Sequence, residues 1–342
     1  MSLKLYPWQD ELEKALLDLR GRLPNGILVY GPRGTGIFEL VQAFAKSLLC
    51  TQPAPDGTPC GHCHGCHLVN AGTHPDIRYV VSEAESLPRD IAFVPPDNAA
   101  SDRKTVYREI LIHQTRALTD FLNLKSHEGG LRIVLVYPAD RIRAEAAASL
   151  LKSLEEPPEN TIFMLVADEI DRVLATIRSR CRLIRASAPT QEQALAWLQS
   201  QGVQNAQQRL VEAGGMPLAV FEEDARYRLS DEVREKFLAY LVQGRQAPAA
   251  QALSIVDKDV TLSAAALFLS RWAWDLASAQ VGAEPQYFPQ YKDQIEAVAR
   301  AADPSGLYTW INSVRDVRRV SEHPLNARTI IEALLISYAR NL

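Results

Sequence analysis

Short apolar runs alternate with amphipathic segments over the first half of the chain. The apolar runs at residues 27–30, 77–81, 131–137 and 161–167 predict strands, and the last two have the continuous character of strands buried on both faces. Apolar residues recur at helical spacing at residues 9–19, 37–49, 106–122 and 144–154. Strands that alternate with helices in this way indicate an α/β domain with a mostly parallel sheet.

The pattern changes after residue 188, where only helical spacing remains. Residues 191–201, 206–213 and 217–223 predict three short helices, and longer helices are predicted at 232–243, 262–278 and 325–339. We therefore predict three domains: an α/β domain over 1–187, a small all-α domain over 188–229 and a larger all-α domain over 230–342. Residues 82–105 are rich in Pro, Asp and Ser and predict a long irregular excursion from the first domain.

Composition narrows the class of protein. The 342 residues are 47% hydrophobic and 23% charged, which is ordinary for a soluble globular protein. A net charge of −4 and a pI of about 6.0 argue against strong nucleic-acid binding by bulk charge. Because no apolar run has the length of a membrane span and the first residues lack a signal-peptide pattern, we expect a cytoplasmic protein without a membrane partner.

Four of the five cysteines lie within 17 residues. In a reducing compartment such crowding indicates a metal rather than disulfides, and four thiolates make a closed tetrahedral site for one structural Zn²⁺. Three histidines in the same stretch, at 62, 64 and 67, leave the ligand set open, and free thiols on a loop remain an alternative. Cys181 is expected to be a packed structural residue. The predicted ligands are Cys50, Cys60, Cys63 and Cys66.

The stretch at residues 31–38, GPRGTGIF, has the glycine frame of a phosphate-binding loop without its chemistry. In the pattern G-x-x-x-x-G-K-[ST], the lysine reaches phosphate oxygens and the hydroxyl holds Mg²⁺. Here Ile37 replaces the lysine and Phe38 the hydroxyl residue. The backbone of Gly31, Gly34 and Gly36 is still compatible with weak nucleotide binding, and a simple glycine-rich turn is the alternative.

The acidic side of the same chemistry is missing as well. An ATPase of this plan carries an acidic pair at the end of a buried strand, for Mg²⁺ and the attacking water. The strand at 131–137 instead ends in Tyr137 and Pro138, and Asp140 follows where it is expected to cap the next helix. The two losses are independent in sequence, and together they predict a chain that does not hydrolyse ATP.

Two further motifs carry a resemblance to a known family. Residues 146–158, AAASLLKSLEEPP, resemble a signature of the bacterial clamp-loader branch of the AAA+ superfamily. Residues 176–181, TIRSRC, resemble the Ser-Arg-Cys motif of that branch. The opening Tyr6-Pro7-Trp8, the four-cysteine insertion and the defective phosphate loop fit the same branch. Asn326, within residues 324–332, resembles part of its last collar helix.

The resemblance implies a RecA-like AAA+ domain, a helical lid and a helical collar for oligomerisation. Loaders of this branch are five-subunit arcs that use ATP to open a sliding clamp and place it on primed DNA. They act within DNA polymerase III, a DNA-directed DNA polymerase as a whole assembly. The implied partners are the motor (gamma/tau) and delta subunits, and through them the clamp and DNA.

The resemblance also implies a role for one arginine. The ATP sites of such loaders lie between subunits, and Arg180 of the Ser-Arg-Cys motif would act as an arginine finger on a neighbour's site. A guanidinium from a neighbour stabilises charge on the γ-phosphoryl oxygens. The alternative is an ordinary surface arginine, since residues 178, 182 and 185 are arginines too.

Two departures from the family pattern leave room for other interpretations. The excursion at 82–105 is longer than expected, and residues 214–218, GGMPL, stand where active relatives often place an ATP-sensing arginine. An active ATPase subunit of the same loader is one alternative, opposed by the residues at 37, 38, 137 and 138. A zinc-dependent DNA-binding protein is another, but the cysteine cluster lacks the basic and aromatic surroundings of such a module.

Overall fold

The computed structural model describes residues 3–96, 106–123, 130–221, 229–256, 260–321 and 325–342. By packing, the chain forms two compact units. The first comprises Met1–Ala206 with Gly215–Val220, and the second comprises Gln207–Gly214 with Phe221–Leu342. The division into three domains stays a prediction. None of the helices in the described ranges is long and apolar enough to cross a membrane.

The first unit is built on a five-stranded sheet in the order β2-β3-β4-β1-β5, with parallel pairing throughout. Its central strands are buried on both faces, which explains their continuous apolar sequences. In the register, Leu28 of β1 lies opposite Leu165 of β4 and Leu183 of β5. The α/β prediction is therefore confirmed. The strands are β1 (Gly26–Tyr30), β2 (Ile77–Val81), β3 (Arg132–Tyr137), β4 (Thr161–Ala167) and β5 (Arg182–Arg185).

Helices cover both faces of this sheet and bury an apolar core on each side. One core contains Leu40 and Phe44, and the other contains Leu150 and Ile177; all four are almost completely buried. The helices are α1 (Asp10–Asp18), α2 (Ile37–Leu49), α3 (His64–Asn70), α4 (Glu83–Ser86), α5 (Ile112–Asn123), α6 (Ala144–Glu155), α7 (Ala175–Arg178) and α8 (Gln191–Ser200).

The second unit is helical, as predicted for the C-terminal part of the chain. Buried aromatic residues form its centre: Trp272 Nε1 donates to the Tyr338 hydroxyl (3.1 Å), which donates to the Leu241 carbonyl (2.6 Å). Asn326 caps the last helix by accepting the Thr329 N–H at 3.2 Å. The helices are α9 (Ala206–Glu212), α10 (Asp231–Leu241), α11 (Ala249–Ile255), α12 (Leu262–Gln280), α13 (Lys292–Ala301), α14 (Pro304–Val320) and α15 (Ala327–Asn341).

Some local features differ from the predictions or lie outside the described residues. The helix expected from residue 106 begins only at Ile112, because Tyr107 and Ile110 bond to other segments: the Ala84 N–H donates to the Tyr107 carbonyl, and Ile110 forms a parallel bridge with Ile142. Strand β5 was not predicted, since it is short and rich in exposed arginine. Residues 97–105 of the excursion lie outside the described residues.

Candidate functional site

The four cysteines of the predicted zinc site come together in space. Cys50 follows α2, Cys60 and Cys63 lie in the loop, and Cys66 is in α3. Their sulfur atoms all lie within 4.8 Å of one another, and those of Cys50 and Cys63 are 3.8 Å apart. With Zn–S bonds of about 2.3 Å, a tetrahedral site separates its sulfurs by about 3.8 Å. The arrangement therefore fits one zinc ion.

Backbone N–H groups within the cysteine loop point at the sulfur atoms. Cys60 N–H donates to Cys50 Sγ at 3.3 Å, Cys63 N–H to Cys60 Sγ at 3.3 Å, and Cys66 N–H to Cys63 Sγ at 3.4 Å. Such bonds favour the thiolate form that a metal binds. Gly61 adopts the positive φ of 80° that this turn requires.

Burial opposes ionisation of one cysteine of the cluster. Burial raises the pKa of the Cys66 thiol to about 12, with help from the neighbouring Cys63 and Cys50 sulfurs. A divalent cation bound by the four sulfurs would supply positive charge and displace this proton. Four sulfur ligands would leave no open coordination position, an arrangement that suits a structural metal rather than a hydrolytic one. The His62 ring lies instead at the Cys60 carbonyl, with Nδ1 3.0 Å from that oxygen.

The phosphate-loop frame is present, but its two replaced residues belong to the core. Gly36 adopts a positive φ of 76° immediately before α2, as a loop-to-helix turn of this kind needs. Ile37 and Phe38 are buried, with 6% and 2% of their surface exposed. Two apolar side chains therefore pack where a lysine and a hydroxyl would reach a nucleotide.

The N-terminal segment lies directly on this loop. A Cβ built on Gly36 would overlap the Tyr6 ring, and Trp8 Nε1 donates to the Thr35 carbonyl at 2.9 Å. Tyr6 and Trp8 are stacked with ring centroids 5.2 Å apart, and Trp197 of α8 meets both edge-on. The Tyr-Pro-Trp opening thus joins the loop to the first helix that follows the sheet.

An arginine from the excursion covers the rings beside the loop. The rings of Phe38 and Tyr137 have centroids 5.1 Å apart, and Arg89 Cζ lies 4.9 and 5.2 Å from those two centroids. The Arg89 guanidinium also pairs with Glu39 at 3.0 Å and with Glu85 at 2.8 Å. Sequence analysis missed Arg89, since nothing in the irregular 82–105 stretch indicates where its side chains return.

A second ion pair and a small cavity lie beside the loop. Arg33 of the loop pairs with the buried Glu85 at 2.8 Å, which ties the excursion to the loop a second time. A cavity of about 10 Å³ lies beside the loop, enough for roughly one water molecule. Small-molecule sites usually occupy about 300–1,000 Å³. The cavity is lined by Trp8, Gln9, Glu11, Leu12, Thr35, Ile37, Ala186 and Ser187.

Two buried carboxylates meet at the ends of β3 and β4. Asp140 Oδ1 accepts the Asp168 N–H at 2.9 Å, and the Tyr137 hydroxyl donates to Asp168 Oδ1 at 3.3 Å. Burial, and then the charge of Asp140, raises the pKa of Asp168 to about 7. The prediction that Asp140 caps the next helix is wrong: α6 begins at Ala144, four residues later, and the Asp140 carboxylate instead holds the residue that follows β4.

Arg180 lies on the surface just after α7. Its Nη1 donates to the Thr176 carbonyl at 2.9 Å and to Ser179 Oγ at 3.3 Å, and its Nη2 forms an ion pair with Glu155 at the end of α6. A Cβ built on Gly26, the first residue of β1, would be 3.3 Å from the Arg180 carbonyl. Arg180 is thus beside the N-terminal end of β1.

The remaining predicted residues are placed as follows. Cys181 packs against the same core as α6, and burial raises the pKa of its thiol to about 11, which suits an unreactive structural cysteine. Met216, in the GGMPL stretch at residues 214–218, lies against Gly34 together with Ala219. The Leu218 N–H donates to the Gly34 carbonyl at 3.1 Å.

Comparison with known proteins places these features in a family. A family model described as DNA polymerase III, delta subunit, matches residues 10–190. The chain is 29% identical to the DNA polymerase III subunit delta' of Pseudomonas aeruginosa, over 98% of this chain and 97% of that protein. It is 34% identical to the subunit delta' of Escherichia coli, over 65% of this chain and 62% of that protein.

Solved structures give weaker matches. A DNA polymerase III gamma subunit-related protein from Thermotoga maritima is 14% identical, covers 96% of this chain and 99% of its own, and has a TM-score of 0.41. The sequence relatives and the matched model agree with the clamp-loader motifs, which point within that branch to the delta-prime type. The chain belongs to the DNA polymerase III delta subunit family.

Proposed function

We propose that the chain is a clamp-loader subunit that hydrolyses no ATP itself and supplies Arg180 to the ATP site of a neighbouring subunit. One observation carries this proposal: apolar side chains of the chain itself occupy the phosphate loop, whereas Arg180 is exposed at the opposite end of the strands. The chain would thus contribute an arginine to a neighbour's ATP site but have no working ATP site of its own.

The filled loop supports the first half of the proposal. Hydrolysis requires a charge near the γ-phosphate and a ligand for Mg²⁺. Phe38 and Tyr137 supply neither, and Arg89 lies over both rings with its charge paired to Glu85. A nucleotide would have to displace this group and break its ion pairs. We propose that binding at Gly31, Gly34, Gly36, Ile37 and Phe38 is weak or absent.

The position of Arg180 supports the second half. The phosphate loop follows the C-terminal end of β1, and the Arg180 backbone lies next to its N-terminal end. Five strand residues at about 3.3 Å each separate the two ends by more than 13 Å. The Arg180 side chain lies at the surface, at the end of the strands away from the loop. A phosphate that it contacts would therefore be bound by another chain. Its planar fork suits a phosphoryl group.

The other parts of the chain take supporting roles in this proposal. One Zn²⁺ on Cys50, Cys60, Cys63 and Cys66 pins the loop after α2 and takes no part in catalysis. Residues 1–187, 188–229 and 230–342 act as AAA+ domain, lid and collar, and the collar joins the chain to the motor (gamma/tau) and delta subunits. Contact with the sliding clamp and primed DNA comes through the assembled loader.

The experiment that tests the proposal compares loaders assembled with the wild-type chain, with Arg180→Ala and without the chain. ATP hydrolysis and clamp loading are measured with clamp and primed DNA present. We expect Arg180→Ala to assemble normally but to lower both rates. Robust ATP turnover by the purified chain alone would favour the active-ATPase alternative. Tight, strongly salt-dependent DNA binding by the chain alone would favour the zinc-dependent DNA-binding alternative.

A further inference from the structure

The side chain of Glu155 contacts the proposed finger directly. Glu155 is the last residue of α6, and its Oε1 forms an ion pair with Arg180 Nη2. The two residues come from two separate sequence motifs, 25 positions apart in the chain. We propose that Glu155 is a positioning residue that orients the Arg180 guanidinium toward the neighbouring ATP site. This inference rests on the proposed function of Arg180.

The guanidinium is held from two sides. The Thr176 carbonyl and Ser179 Oγ accept from Nη1, and the Glu155 carboxylate accepts from Nη2. A free arginine side chain loses substantial rotamer entropy when it is fixed. These three acceptors fix it before a neighbour arrives, and a guanidinium has five N–H groups, so others remain for phosphate oxygens.

The backbone on both sides of this contact is anchored in the core. Leu154, which precedes Glu155, and Ile177, in α7, are buried in the same apolar cluster. Gly26 of β1 lies against the ends of both motifs: a Cβ there would be 3.1 Å from Cys181 Sγ, 3.3 Å from the Arg180 carbonyl and 3.5 Å from Leu154. The two motif ends therefore rest on the sheet and keep a fixed separation.

The ion pair can orient the Arg180 guanidinium and still release it to bind a phosphate. Side chains of Arg180 and Glu155 are 33% and 50% exposed. Exposed pairs contribute little free energy, so the pair can yield one N–H group to a more highly charged γ-phosphate. A fully buried carboxylate would instead hold the guanidinium and compete with the phosphate.

The test uses the reconstituted loader with Glu155→Gln, which keeps the shape of the side chain and removes its charge. Glu156→Gln is the matched control, because it removes the same charge from the adjacent exposed residue. The quantity measured is the part of clamp- and DNA-stimulated ATP hydrolysis that Arg180→Ala abolishes. We expect Glu155→Gln to lower kcat of that part by about two- to fivefold, with KM for ATP unchanged. Glu155→Asp should recover part of the loss.

A double variant separates positioning from a general structural effect. If Glu155 acts through the finger, adding Glu155→Gln to the Arg180→Ala chain causes no further loss. The inference is wrong if Glu155→Gln lowers hydrolysis as much in the Arg180→Ala chain as in the wild-type chain. It is also wrong if, in the wild-type chain, Glu155→Gln raises hydrolysis or has no more effect than Glu156→Gln. If Arg180→Ala itself has no effect, the proposed function fails; if Arg180→Ala lowers hydrolysis and Glu155→Gln does not, only the role of Glu155 is refuted.

Discussion

The rings of Phe38 and Tyr137 lie against each other, with centroids 5.1 Å apart. Phe38 stands where a phosphate loop carries its Mg²⁺-binding hydroxyl, and Tyr137 stands at the strand end where an ATPase carries its acids. Two replacements about 100 residues apart in sequence thus form one aromatic contact. The contact packs two aromatic rings together where an ATPase would carry groups that bind a metal and position water.

The first prediction concerns the metal. Protein purified without chelator should contain about one zinc per chain, because four sulfurs lie within 4.8 Å of one another. Replacing Cys66 with Ser should release the metal and loosen the loop around residues 50–66, while the sheet keeps its fold. Elemental analysis measures the metal, and Cys181→Ser is the control that should retain it. Zinc that survives replacement of two ligand cysteines would contradict the assignment.

The second prediction concerns the phosphate loop. The isolated chain should show no ATP turnover above background, and Ile37→Lys with Phe38→Thr should not create turnover. The lysine would enter beside Arg89, and the acids of an ATPase would still be missing at the end of β3. Steady-state phosphate release by contaminant-free protein measures this. Turnover by the double variant would show that the phosphate loop alone limits the chemistry.

The third prediction concerns which arginine matters. Arg180→Ala should lower loader ATP hydrolysis without changing stability or zinc content, because the side chain is exposed. Arginine fingers contribute about 10³–10⁵ in rate in well-studied GTPases, but the other sites of a loader limit the total loss to a part. Arg180→Lys should recover little, since an ammonium lacks the planar fork.

Arg178 and Arg182 provide matched controls for the third prediction. Arg178 lies 3.9 Å from Asp171 in an exposed pair, and Arg182 is exposed at the start of β5. Alanine at either position removes the same charge from a residue two positions away in the chain. Equal losses from all three substitutions would indicate a general charge effect and not a finger.

The fourth prediction concerns pH. Because burial raises the pKa of Asp168 from about 3.8 to about 7, the native state holds this proton more tightly than the unfolded chain does. The resulting stability is present at low pH and is lost as pH rises through about 7. Asp168→Asn cannot ionise, and its amide oxygen can still accept from Tyr137. We expect it to exceed wild-type stability at pH 8 by at least about 1.4 kcal/mol, the equivalent of one pKa unit.

Denaturant unfolding at several pH values between 5 and 8 measures this difference. The gap between Asp168→Asn and wild type should widen up to about pH 7 and then level off. Asp171→Asn is the control, because that carboxylate is fully accessible to solvent and should leave the profile unchanged. Parallel profiles for Asp168→Asn and wild type would show that Asp168 is ionised in the folded protein well below pH 7.

Local pattern determined much of what the chain is. Continuous apolar runs predicted β1 to β4 because strands buried on both faces have no polar side to show. The glycine frame with Ile37 and Phe38 predicted a loss of phosphate chemistry, since that chemistry depends on residue type at fixed spacing. The four cysteines predicted a metal site for the same reason, and their sulfurs do converge into a group that could hold a metal.

Only the tertiary structure decided which distant side chains meet. Arg89 covers Phe38 and Tyr137, Asp140 bonds to Asp168, and Arg180 pairs with Glu155; each contact joins separate segments through the packing of the sheet and its helices. A sequence shows that a residue carries a charge, but not which partner satisfies it after folding. Asp140 illustrates the reason: a nearby helix start made a local cap plausible, yet its carboxylate accepts the Asp168 N–H just after β4.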